Sequence, residues 1–273
     1  LTGDRASPYA APVVWSWTSV LVGVVSVGLA ALAGCRQLAG LDDPITTDGG
    51  VSLCYGTGLV QVCFDAQPTG AVELAQDLDT GSTSCSSHVV SDSGAGACVI
   101  AGSTITLAEG LRIRARGTDP RVPLVLVAVQ AISIAGTLDL AGHQASAGTP
   151  AGGAYVGCLA GTDASSGLYG GGGQGGSFLD EGGDGGAGGG AIGGQAGNSL
   201  GNPVQLHGGC DGRAGGNAGG AGGPGGGAVY LIANASISIQ GRVDASGGGG
   251  GPALVVGAGG GAGGSGGAIG IDA

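Results

Sequence analysis

Two stretches of the chain alternate apolar and polar residues and align with each other without gaps: Leu124 to Gly142 (LVLVAVQAISIAGTLDLAG) and Val229 to Gly247 (VYLIANASISIQGRVDASG). Ile132 matches Ile237, Ile134 matches Ile239, Gly136 matches Gly241, Leu138 matches Val243 and Asp139 matches Asp244. In the second stretch Val229, Leu231, Ala233, Ala235, Ile237, Ile239, Gly241 and Val243 share one parity, and Ile232 is the exception on the other. A period of two over that length predicts β-structure with one buried face. Strands rarely run so long, which places breaks near Asn234–Ala235 and Gln240–Gly241. A third copy begins at GGAIGIDA (Gly266 to Ala273) and stops where its next strand is due. The chain also lacks methionine and begins with Leu1, so a longer parent chain is expected.

Shorter alternations at Leu59, Val62 and Phe64, at Val72 and Leu74, and through CVIAGSTITLAEGLRIRARG (98–117) predict further strands. Residues 77–96 are polar and serine-rich and read as a loop. Short strands joined by tight turns and repeated along the chain predict an all-β fold, a right-handed parallel β-solenoid with glycine-rich insertions. A β-sandwich of hairpins with disordered glycine-rich loops is the alternative.

The insertions, 142–227 and 247–267, follow corresponding strands and hold most of the 68 glycines. Triplets such as AGGAGGPGG (218–226) and AGGSGG (262–267) have the period of an extended three-residue-per-turn helix, as in polyglycine II. Glycine content alone argues for disorder, because glycine loses the most backbone freedom on folding. Both readings stay open. Collagen is not expected, since the triplet register breaks repeatedly.

Charge narrows the function. The formal net charge is −11, with eight basic residues, all arginine, which excludes a nucleic-acid footprint. Without lysine there is no Walker loop and no Schiff base. The acids are scattered, and Arg112, Arg114 and Arg116 form one stripe of a strand. Asp139 and Asp244 read as outward residues starting turns, because the calcium-binding nonapeptide is missing. GGSGG (263–267) spells a nucleophile elbow but lacks its strand–turn–helix setting, and His88 near serines and acids makes no triad pattern. No cofactor or metal site is expected: there is no C-x-x-C, and His88, His143 and His207 lack ligand spacing.

At the N-terminus Arg5 precedes an uncharged apolar run from Val13 to Ala33, followed by LAGC ending at Cys35. This resembles a bacterial lipoprotein signal peptide. The resemblance implies cleavage after residue 34, acylation of Cys35, and a membrane partner held through that lipid. An uncleaved membrane anchor, or an ordinary signal peptide with a chance cysteine, are the competing readings. Arg36, where an inner-membrane retention signal has Asp, implies the outer membrane. Residues 35–50 then form a tether, 51–100 a small disulfide-tied β region, and 101–273 the repeats. Cys54, Cys63, Cys85, Cys98, Cys158 and Cys210 are an even set, and in an oxidising compartment disulfides are expected. Fifteen pairings exist; neighbour pairing is the simplest.

LAGCRQLAGLDD, CYGTGLVQVC and ISI-x-G-x-LD followed by glycine tracts together resemble the glycine-rich lipoproteins of myxobacteria-like δ-proteobacteria. That resemblance implies an envelope location and carries no activity. The expected function is a non-enzymatic, lipid-anchored surface protein with a structural or adhesive role, meeting surface polysaccharide or other envelope proteins. The alternative is a carbohydrate-active enzyme on extracellular polysaccharide, which requires two acids converging in one cleft.

Overall fold

The computed structural model describes residues 46–47, 50–51, 53–81, 85, 96–119, 121–143, 149–153, 155–158 and 161–273. The chain divides into two units, Leu1–Leu41 and Asp42–Ala273. The proposed signal peptide, Cys35, most of the tether, His88 and much of the serine-rich loop lie outside the described residues. Among the described residues no helix is long and apolar enough to cross a membrane.

In chain order the strands are β1 (Thr46–Thr47), β2 (Gly50–Val51), β3 (Leu53–Tyr55), β4 (Val62–Phe64), β5 (Ala71–Glu73), β6 (Leu78–Asp79) and β7 (Cys98–Leu107). They continue with β8 (Arg112–Arg116), β9 (Leu124–Ile134), β10 (Thr137–Asp139), β11 (Val229–Ala233), β12 (Ser236–Ile239), β13 (Arg242–Asp244) and β14 (Ile269–Asp272). A large sheet runs β14-β11-β9-β7-β5, with β12 also paired to β9, and a small sheet runs β13-β10-β8-β6. Every pairing within these two sheets is parallel. Two short antiparallel pairs, β1–β2 and β3–β4, complete the set.

Register follows the sequence pattern: Val229 lies opposite Leu124, Ile237 opposite Ile132, Val243 opposite Leu138, and Asp244 opposite Asp139. The sheets face each other across a core that includes Ile105, Leu107, Ile113, Leu126, Ile132, Ile134, Leu138 and Leu231. The other face of the large sheet is also covered. Tyr55, Val60, Val62 and Phe64 of the β3–β4 hairpin pack there on Val99, Val125, Val127, Tyr230 and Ile232. This second burial explains why Ile232 breaks the alternation. A strand buried on both faces reads as a continuous apolar run, and VYLIA is buried throughout.

The expected right-handed β-solenoid is not what forms. Among the described residues the two sheets and the antiparallel pairs do not close into a solenoid, and β-strands build two walls. The reason lies in the return paths: β10 is followed by about 90 residues before β11, and most of them are glycine-rich. Such returns have few side chains to bury against the core, so they leave it and bond to one another. The hairpin sandwich fails too, because the sheet strands are parallel and joined by crossovers.

Corners are tight at Gly136 and Gly241. A Cβ on Gly136 would meet the carbonyl oxygens of Ala108 and Leu111, and one on Gly241 those of Gly136 and Ala135. Disulfides join Cys54–Cys63, Cys85–Cys98 and Cys158–Cys210, the last spanning 52 residues.

Candidate functional site

The glycine tracts form a hydrogen-bonded bundle with a three-residue repeat. Gly170, Gly173 and Gly176 donate their N–H groups to Gly257, Gly260 and Gly263, and Gly220, Gly223 and Gly226 donate to Gly259, Ala262 and Ser265. Gly209, Gly212 and Gly215 donate to Gly226, Gly223 and Gly220. Segment 258–267 is the hub: its Gly259, Ala262 and Ser265 donate to Gly216, Arg213 and Cys210, while Gly261, Gly264 and Gly267 donate to Gly251, Gly248 and Ala245. The period of three is that of an extended polyproline-II-type helix, which has no internal hydrogen bonds and must pair outward. Most tract glycines do not have positive φ. Their glycine identity answers to close approach instead. A Cβ on Gly259 would land on the Gly171 carbonyl oxygen, and one on Gly264 on that of Pro224.

The base of the bundle adjoins the sheets, where Gly227 donates to Leu140 and Gly267 to Ala245. From Gly226 to Gly220 the extended segment runs six residues outward, so at a rise of ~3.1 Å per residue it spans roughly 19 Å before the turn at the far end. Several loops meet at the far end. Asn217 Nδ2 donates to the carbonyls of Gly167 at 3.0 Å and Gly257 at 3.1 Å, and Ser165 Oγ accepts the Ile192 N–H at 2.7 Å. Asn217 and Ala218 hold φ of 57° and 52° in the turn, a left-handed conformation costly for alanine. The loops expose Leu168 (81%), Ile192 (70%), Leu254 (84%) and Val256 (101%), together with Tyr169 and Val255.

A second feature is a cavity of about 290 Å³ lower on the bundle. Tyr155, Gln174, Ser177, Asp211 and Arg213 line it, with five glycines and the Cys158–Cys210 disulfide. The Tyr155 ring stacks on His207 at 3.7 Å between centroids, and Phe178 meets His207 edge-on at 5.2 Å. His207 Nδ1 lies 2.8 Å from the Gly208 carbonyl, which can only accept, so Nδ1 carries the proton. Burial pushes the His207 pKa down against the opposing pull of that hydrogen bond, which favours an uncharged stack.

The acids that recur in the sequence pattern lie elsewhere, on the small sheet. Asp139 is not the outward turn residue expected: its side chain is fully buried. Arg112 donates to Oδ2 through Nη2 at 2.8 Å and Nε at 3.0 Å, His143 Nε2 sits 3.0 Å from the same oxygen, and the Ala141 N–H reaches Oδ1 at 3.1 Å. Burial pushes the Asp139 pKa up, but the Ala141, His143 and Arg112 hydrogen bonds outweigh it and hold the carboxyl below the usual range. Asp244 is paired with Arg242 at 2.8 Å and accepts from Ser246 in a local turn. Asp139, Asp244 and Arg242 therefore form a charge-paired sheet face, and none of them lines the cavity.

Of the cysteines singled out from sequence, Cys158 and Cys210 lie at the cavity, while Cys54, Cys63, Cys85 and Cys98 tie the sheets and hairpin. Sequence reasoning passed over Tyr155, Gln174, Arg213 and the exposed loops. The loops had a signal: ALVV (253–256) is an apolar run isolated within a glycine tract. No protein-family model, curated protein or solved structure matches the chain.

Proposed function

We propose that the chain is a non-enzymatic, lipid-anchored protein of the outer membrane, with a structural or adhesive role carried by the loops at the far end of its glycine bundle. One observation carries this reading: Leu168, Tyr169, Ile192, Leu254, Val255 and Val256 are exposed on loops held together by Asn217 and Ser165. Contiguous exposed apolar surface marks interaction sites. Left-handed Ala218 adds support, because backbone strain of this kind persists where the surrounding structure serves a function. The buried, charge-paired Asp139 supports the non-catalytic reading over a carbohydrate-active enzyme, since among the described residues no acid pair faces the cavity.

The test is expression of the full chain in a Gram-negative host with palmitate labelling, membrane fractionation and a cell-adhesion assay. Label on the wild type and none on Cys35→Ser is expected. Combined Leu254→Ser, Val255→Ser and Val256→Ser should leave anchoring intact and abolish adhesion. Adhesion unchanged by the triple replacement sinks the role of the loops, and absence of label sinks the anchor.

A further inference from the structure

We propose that the 290 Å³ cavity is a binding site for a neutral pyranose unit of a glycan. The site is separate from the apolar loops, and the inference stands whether or not the chain is acylated.

Size sets the first limit. Ligand pockets run from about 300 Å³ upward, so this one admits one sugar ring or two at most. Chemistry sets the second. Among the described residues the lining carries one acid, Asp211, and one cation, Arg213, so neither an anion nor a cation is favoured by net charge. Gly153, Gly175, Gly176, Gly197 and Gly212 bring bare peptide edges to the wall, and among the described residues no long aliphatic side chain lines it. Those residues offer a lipid tail little apolar surface to bury against. A ligand with many hydroxyls finds both donors and acceptors.

Three side chains are placed for recognition. Gln174 is 3% exposed yet lines the cavity, and its Oε1 has no hydrogen-bond partner among the described residues. A buried unpaired carbonyl is costly, and a ligand hydroxyl can satisfy it. Arg213 is half-exposed, and its nearest acid, Asp163, sits at 4.0 Å, so its forked N–H groups remain available to vicinal hydroxyls. Asp211 accepts the Gly225 N–H through Oδ1 at 2.7 Å, which fixes the carboxylate while leaving Oδ2 for a ligand. Tyr155 supplies an aromatic surface for the C–H face of a sugar, its ring held by His207 and its loop tied by Cys158–Cys210 to the segment bearing Asp211 and Arg213.

The test titrates the full chain with the methyl glycosides of glucose, galactose and N-acetylglucosamine, with glucuronate and glucose-1-phosphate as charged comparators. Saturation-transfer NMR and calorimetry read the binding. At least one neutral glycoside should saturate in the millimolar range and exceed both charged comparators. Arg213→Ala, at a half-exposed position and with retained fold checked by circular dichroism, should weaken binding about tenfold, the loss of one good polar contact. Gln174→Leu should abolish binding, with circular dichroism reporting retained fold, and the loop replacement Val256→Ser should leave it unchanged. No saturation by any neutral glycoside overturns the proposal. So does tighter binding of a charged comparator, or an Arg213→Ala protein with wild-type affinity.

Discussion

Alanine at Gly259 and alanine at Gly260, one residue along, should have opposite effects on stability. Gly259 is buried, donates to Gly216 at 3.0 Å and accepts from Gly220 at 2.9 Å. A Cβ there falls on the Gly171 carbonyl oxygen, so the methyl overlaps the backbone of segment 170–171. Carbon contacts are comfortable only near 3.5–4.0 Å, so the hub must shift by more than about 1 Å. Such a shift breaks both hydrogen bonds at ~1 kcal/mol each. Overpacking adds roughly 2 kcal/mol. The sum is a loss of about 4 kcal/mol, which for a unit of this size lowers the melting temperature by roughly 8–16 °C. At Gly260 a Cβ meets nothing within 4 Å, and φ is not positive. Alanine there should stabilise by about 0.4–1 kcal/mol through the unfolded chain. Thermal unfolding followed by circular dichroism reads both variants. If the Gly259→Ala protein melts within about 2 °C of wild type, close backbone approach is not what holds the bundle.

Other outcomes follow from the charge-paired face and the disulfide. The Asp139 carboxyl sits below its ordinary range when folded, so its contribution is present above about pH 4 and lost as pH falls through the lower folded value. Urea unfolding from pH 7 to pH 3 should show that acid limb, and Asp139→Asn should flatten it while costing about 2 kcal/mol at pH 7. The same cost at pH 3 and pH 7 would contradict it. Replacing both Cys158 and Cys210 by serine frees a 52-residue span and should lower stability by about 4 kcal/mol in denaturant titration. An unchanged midpoint would mean that the glycine segments alone pin this region.

How far the sequence spoke depended on whether side chains or backbone made the contact. Apolar alternation at Leu124 to Ile134 and Val229 to Ile239 places those residues in strands, because side-chain burial writes itself into the residue pattern. Disulfide bonding was legible for a similar reason, from an even set of cysteines. Closure of the sheets was not legible, since it depended on where returns without side chains would run. Burial of Asp139 was equally hidden, because its partners Arg112 and His143 lie on different segments. Glycine tracts carry little local information: the residue that permits disorder also permits the closest backbone packing. Only the three-residue period hinted at the second outcome, and the hydrogen bonds of segment 258–267 realise it.

The three-residue register has a consequence for how such a molecule can change in length. Pairing between segments 220–226 and 259–265 depends only on a residue's place within its triplet. Adding one triplet to each paired segment would therefore restore every bond one step further out. Each such step is ~9 Å, three residues at a rise of about 3.1 Å. The sheets below and the loops above would keep their own contacts. The bundle can thus act as a ruler graduated in steps of ~9 Å, setting the height of the loops independently of what they touch.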